Sequence, residues 1–86
     1  MGFDTRDRAL LLAIKGVGPT VVSRLEQLGF CSFEQLAQAS SQEIVQLVAS
    51  MLGSSCWQNS PQARGAIEGA IALARQEVGI REAHRI

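Results

Sequence analysis

The chain has 86 residues, enough for one domain with a modest core. Apolar residues make up 47% and charged residues 19%, which excludes an intrinsically disordered composition. Eight basic residues balance eight acidic ones, so the broad basic surface of a protein that wraps nucleic acid is excluded, and any such contact is expected to be local and weak.

Asp4 and Thr5 are suited to cap a first helix, with Phe3 available as a hydrophobic staple before the cap. Leu10, Leu11, Ala13 and Ile14 supply apolar residues at the end of that helix. The stretch "KGVG" breaks it. Pro19 suits the first position of a second helix, where its missing N–H costs nothing. Val21, Val22, Leu25 and Leu28 follow as a helical stripe, and Gly29 ends it.

"CSFEQLAQA" reads as a short third helix. Ser32 stands three residues before Gln35, a capping-box pattern, and Phe33, Leu36 and Ala37 are expected to face inward. Ser40 and Glu43 repeat that pattern for a fourth helix, whose predicted buried stripe is Ile44, Leu47, Val48, Met51 and Leu52. Gly53 stops it. "GSSCWQNS" is a polar loop with one large aromatic, Trp57. Ser60 and Pro61 open the last and longest helix, roughly 61–77. Its core line is Ala63, Ile67, Ala70, Ile71, Ala74 and Val78, and Gly79 is expected to end it. Gly65 and Gly69 sit inside this helix at about 1 kcal/mol each relative to Ala. The reading is that they permit close packing against a neighbour, such as the first helix; a homodimer face is the alternative. Nothing reads as a strand. The prediction is an all-α, compact five-helix single domain over 1–79 with a flexible C-terminal tail at 80–86.

No apolar run approaches the roughly 18 residues that a bilayer requires, so no membrane contact is expected. The opening "MGFDTRDRAL" lacks the order of a signal peptide. Arg6 occupies the position where a myristoylation signal needs Ser or Thr. A cytoplasmic protein is the expectation. Cys31 and Cys56 have no metal-type spacing and are read as reduced thiols, with a single disulfide as the alternative.

The informative stretch is "IKGVGPTVV", residues 14–22. Two helices joined by about four residues must turn sharply, and Gly16 and Gly18 permit angles and approaches that a Cβ forbids. Val17 between them anchors the turn inward. The first N–H groups of the second helix have no internal partner, and the helix dipole favours an anion there.

This pattern resembles the helix-hairpin-helix motif, with a core of apolar-x-Gly-apolar-Gly-Pro-x-x-small over Ile14 to Val22, followed by Leu25 and Gly29. "GSSCWQNSPQAR" and the Ala/Ile-rich helix after it extend the resemblance to the small helix-hairpin-helix proteins of the "pathogenicity locus" family, over about residues 10–77. The hairpin with "CSFEQLAQAS" is also similar to the C-terminal domain of TfoX-type competence regulators and, more distantly, to that of the RNA polymerase α subunit. The resemblance implies a SAM-like, helix-hairpin-helix bundle that contacts the DNA sugar–phosphate backbone weakly and without sequence specificity. It places the phosphate at the N–H groups of Gly16 and Gly18, with Val17 and Thr20, and adds charge from Lys15 and Arg24. It implies no cofactor beyond a monovalent cation, held by the carbonyls of Leu12, Ile14 and Val17. Val22 departs from the motif's small residue; it either loosens the helix pair or is absorbed. "NSPQARGAI" occupies about the place of a second hairpin but has no Gly-apolar-Gly. A single hairpin implies weak binding alone, remedied by a homodimer or a protein partner. The alternative function is a protein–protein adaptor that keeps the hairpin only as architecture.

No catalytic constellation is visible, and a non-enzymatic protein is expected. Cys56 has no base beside it in sequence, and the one histidine, His84, lies in the tail. Trp57 is read as a lid on the core or, if exposed, as an anchor for a partner. The scattered basic residues, among them Arg6, Arg8, Arg64 and Arg75, are by default solvated surface charges, and the carboxylates, Asp7 and Glu26 among them, do not cluster as metal or acid–base pairs would.

Overall fold

The computed structural model describes residues 2–53 and 59–83. Trp57, Cys56 and His84 lie outside the described residues. The fold is all-α: α1 (Thr5–Leu12), α2 (Pro19–Gln27), α3 (Phe33–Ala37), α4 (Ser41–Leu52) and α5 (Pro61–Ala83). The long α5 is the spine; α3 and α4 pack on it, and α1 packs on α2.

Each helix starts where a short polar side chain or glycine precedes it. Asp4 Oδ1 accepts the Asp7 N–H at 2.8 Å, Ser40 Oγ accepts the Glu43 N–H at 3.1 Å, and Ser60 Oγ accepts the Ala63 N–H at 3.2 Å. Ser32 Oγ accepts the Gln35 N–H at 3.3 Å, and the Gln35 side chain reaches back to the Cys31 N–H at 2.9 Å. The C-terminus of α2 closes in a Schellman motif: Phe30 N–H donates to Leu25 O at 3.1 Å and Gly29 N–H to Glu26 O at 3.0 Å. That arrangement puts Gly29 at φ +100°, which explains the glycine.

The core gathers Leu11, Val17, Val22, Leu25, Phe33, Leu36, Ile44, Val48, Ile67, Ala70 and Ala74 into one cluster. Phe3 joins it: its ring lies 6.2 Å from that of Phe33, so it plugs the core rather than stapling the first turn of α1. Val22 is fully buried, so the large residue at the hairpin's usual small position is absorbed.

Several expectations are corrected. The buried face of α4 is Ile44, Val45, Val48 and Ala49, while Leu47, Met51 and Leu52 are exposed. The small Ala49 on this face carries little weight in a hydrophobic pattern. The last helix does not end at Gly79 but runs to Ala83. Its final turn is held from outside: Arg81 Nη2 donates to Asp7 Oδ1 at 2.8 Å, and the guanidinium lies 5.2 Å from the Phe33 ring centroid. Asp7 is therefore buried and paired, and Arg8, expected as a solvated charge, pairs with Glu26 at 3.1 Å. Finally, of the interior glycines of α5 only Gly69 has a packing reason. A Cβ on Gly69 would stand 3.1 Å from Ile14 Cγ2, whereas one on Gly65 would meet nothing within 4 Å.

Candidate nucleic-acid interface

The hairpin is built by short local hydrogen bonds. Ile14 N–H donates to Leu11 O at 3.1 Å, and Val17 N–H donates to Ile14 O at 3.0 Å, folding the chain back after α1. Gly16 sits at φ +90°, a conformation that L side chains rarely adopt, so glycine is required there. Gly18 is different. It is the N-cap of α2 with an extended backbone, φ −109° and ψ −179°, and a Cβ on it would meet nothing within 4 Å. Its advantage is that it leaves the space in front of the helix uncovered.

The turn lies against α5. Ile14 faces Gly69, and a Cβ on Gly16 would be 3.8 Å from Ala66 Cβ. Val17 is buried beneath it. The hairpin is thus seated on the spine of the fold.

The N-terminus of α2 opens outward. Pro19 has no N–H, and the Gly18 cap has no side chain to receive the next ones. Val22 N–H is the first to enter the helix ladder, donating to Gly18 O at 3.2 Å. Among the described residues, the N–H groups of Gly16, Gly18, Thr20 and Val21 have no hydrogen-bond partner. Gly18, Thr20 and Val21 therefore present successive donors at the positive end of the α2 dipole, which is the chemistry of an anion site. Lys15, in the turn itself, is exposed, as are Gly16 and Thr20.

Of the residues expected at this site, Lys15, Gly16, Gly18 and Thr20 are brought together. Val17 contributes as the anchor: its N–H is spent inside the turn on Ile14 O. Arg24 stands one helical turn beyond Thr20 on the same face of α2. Its Nη1 donates to Gln27 Oε1 at 3.0 Å, while its Nε is buried without a partner among the described residues. The Val21 N–H was missed in the sequence. The signal was available, since a glycine N-cap followed by proline leaves the second and third helical N–H groups free. The carbonyls expected to face a cation belong to Leu12, Ile14 and Val17; that of Ile14 already accepts one hydrogen bond, leaving it one lone pair.

Elsewhere on the surface, Cys31 is a free, exposed thiol. Among the described residues, no three His, Cys, Asp or Glu side chains gather as metal ligands would. No described helix is long and apolar enough to cross a membrane.

No curated protein and no solved structure matches the chain. A protein-family model does: the RS2/RL21/YNQ2 HHH domain matches residues 11–55, which hold the hairpin, α3 and α4. The match covers more than half of the 86 residues and points to nucleic-acid interaction in general. With its glycine hairpin, its free amides at the start of α2 and that match, the chain belongs to the RS2/RL21/YNQ2 helix-hairpin-helix domain family.

Proposed function

We propose that this protein is a non-enzymatic, cytoplasmic module that binds the DNA backbone weakly and without sequence preference. The observation that carries this reading is the set of unpartnered amides of Gly18, Thr20 and Val21 at the open N-terminus of α2. A phosphate oxygen approaching over Gly18 meets no side chain, accepts two or three N–H bonds and gains from the helix dipole. Lys15 supplies the nearest flexible cation and Arg24 a second charge further along. Contacts of this type position a protein on a duplex and carry no base information.

In this reading a monovalent cation is held at the carbonyls of Leu12, Ile14 and Val17, whose neutral oxygens suit a hard ion of low charge. It would brace the turn from behind. The closer kinship, with the pathogenicity-locus proteins and the TfoX C-terminal domain, is part of the same proposal and rests on the "GSSCWQNSPQAR" stretch and the helix after it.

A second reading has its own observation. Leu47, Met51 and Leu52 leave an apolar strip open on α4, which favours a protein–protein adaptor in which Trp57 also serves as a contact. Fluorescence anisotropy with short labelled duplexes separates the two. The backbone reading expects equal affinity for unrelated sequences and a log–log salt slope of about −1 to −2, as for one or two phosphates. Absence of salt-dependent binding to any duplex leaves the adaptor reading.

A further inference from the structure

Among the described residues there are two ion pairs, and both grip α1. Adjacent residues of opposite charge reach to opposite sides. Asp7 receives Arg81 from the last turn of α5, and Arg8 reaches Glu26 on α2. Glu26 does more than pair: its second oxygen accepts the Phe3 N–H at 3.0 Å, tying down the chain just before the helix. The N-terminal segment crosses close over this carboxylate, whose flexible end would have to shift to admit a Cβ on Gly2.

Apolar burial anchors α1 at fewer points than it does the other long helices, with Leu10 half-buried against the core. Within the helix Leu11 is the one fully buried apolar side chain, and Thr5, Arg6, Ala9 and Leu12 are exposed. The helix on the far side of the turn, α2, seats both Val22 and Leu25 in the core. α4 seats four apolar residues. One arm of the hairpin is thus bolted into the core, and the other is held by two ion pairs beside Leu11.

We infer that α1 is a detachable arm of the hairpin, held in register by these two ion pairs beside a single fully buried side chain, with Glu26 and Arg81 as its positioning residues. The arm runs directly into the turn through Ile14 N–H on Leu11 O and Val17 N–H on Ile14 O. When α1 lifts, the first of those bonds goes with it, and Ile14 leaves its place against Gly69. Gly16 then loses its frame, and the amides of Gly18, Thr20 and Val21 no longer converge. The structural part of this inference stands alone; its functional part rests on the hairpin being the phosphate site. If it is, the duplex selects the docked arm, and binding is coupled to an opening that leaves α3, α4 and α5 intact.

Amide-resolved hydrogen exchange on the whole protein tests the arm without DNA. In the wild type at low urea, α1 amides exchange through an opening that exposes less surface than global unfolding, while α4 and α5 amides follow the global reaction. Glu26→Gln keeps an acceptor for the Phe3 N–H and removes the charge; Arg81→Met removes the other clamp. Each is expected to speed exchange in α1 about tenfold through that smaller opening, while the α4 and α5 amides, which exchange through global unfolding, speed by no more than the same factor. Arg81→Lys, which keeps a cation beside Asp7, restores much of the protection. The Gly16 and Gly18 amide resonances move in the two clamp variants and return in Arg81→Lys. If Arg81→Met does not fold, the wild-type urea series and Glu26→Gln decide. Uniform exchange of α1 and α5 in the wild type overturns the inference, as does α1 protection unchanged by Glu26→Gln. A wild type that shows the α1 opening but ignores duplex DNA keeps the clamp and removes the phosphate reading.

Discussion

The two hairpin glycines make opposite predictions when each is replaced by alanine. Gly16 is at φ +90°, so alanine there is forced into a region unfavourable for an L residue by about 1–2 kcal/mol. Loss of glycine's extra freedom in the unfolded chain returns about 0.4–1 kcal/mol. The net expectation for Gly16→Ala is a destabilisation of about 1 kcal/mol, or a Tm lower by roughly 4–8 °C for a domain this small. Gly18 has an ordinary extended backbone and open space at its Cβ position. The same unfolded-state gain applies, and it is offset by the poorer capping of alanine, about 0.5–1 kcal/mol. Gly18→Ala should therefore stay within about 0.5 kcal/mol of the wild type. Its methyl group nevertheless stands where a phosphate must approach. Thermal denaturation by circular dichroism and duplex binding by anisotropy, run on both variants, separate fold from function. Gly16→Ala should lose stability, whereas Gly18→Ala should keep it and lose several-fold in affinity. A Gly18→Ala protein as unstable as Gly16→Ala, or one that binds duplex as well as the wild type, refutes the reasoning.

The interior glycines of α5 form a similar pair. Gly65→Ala should raise stability by about 0.5–1 kcal/mol in urea denaturation, the helix-propensity gain without a clash. Gly69→Ala should gain less or lose, because its Cβ stands 3.1 Å from Ile14 and the hairpin must yield. Val22→Ala should cost roughly 2 kcal/mol by the same assay, since a fully buried side chain is truncated, although the motif usually places a small residue there. Arg81→Met should cost about 1–2 kcal/mol, less than a fully buried pair, because the Arg81 head is partly solvated while Asp7 is left buried and alone. The hydrogen bond to Asp7 raises the Arg81 pKa above its ordinary value. A cation with a raised folded pKa gives stability that is present below its unfolded pKa and lost as pH rises through the folded one. The Arg81 contribution should therefore be flat through neutral pH and disappear only in strong alkali, which a wild-type versus Arg81→Met comparison across alkaline pH checks.

Local chemistry was legible in the sequence wherever it acts over three or four residues. Asp4, Ser32, Ser40 and Ser60 each cap the helix that follows, and Pro19 and Pro61 stand at first helical positions. The hairpin was legible for the same reason: Gly16, Val17 and Gly18 define a turn by themselves. What failed depends on distant partners. Which face of α4 is buried depends on its packing against α5, and it is the face with Val45 and Ala49, with Leu47 outward. Periodicity alone gives Ile44, Leu47, Val48 and Met51 as an equally good stripe. Gly79 looks like a helix end, but Arg81 finds Asp7 and Phe33 two residues later, and that anchorage carries the helix past the glycine. Asp7 and Arg81 are separated by 74 residues, so no window along the chain reveals their pairing. Gly65 and Gly79 are the α5 glycines for which the described fold gives no packing reason.

The exposed thiol of Cys31 shares Gln35 Oε1 with its own backbone N–H, at 3.1 and 2.9 Å. It sits at the entry to α3, in a stretch that carries no part of the hairpin, so alkylation there offers a labelling site that leaves the α2 N-terminus untouched.

The central claim is that the amides at the start of α2 receive a phosphate. The direct measurement is an amide-resolved NMR titration with a short duplex, first at low salt and then with salt added back. The account predicts that Gly18, Thr20 and Val21 shift together, with Gly16 and Lys15 beside them, and that all return as salt rises while α4 stays still. If those amides remain unmoved up to millimolar duplex, the hairpin is a turn and the claim is wrong.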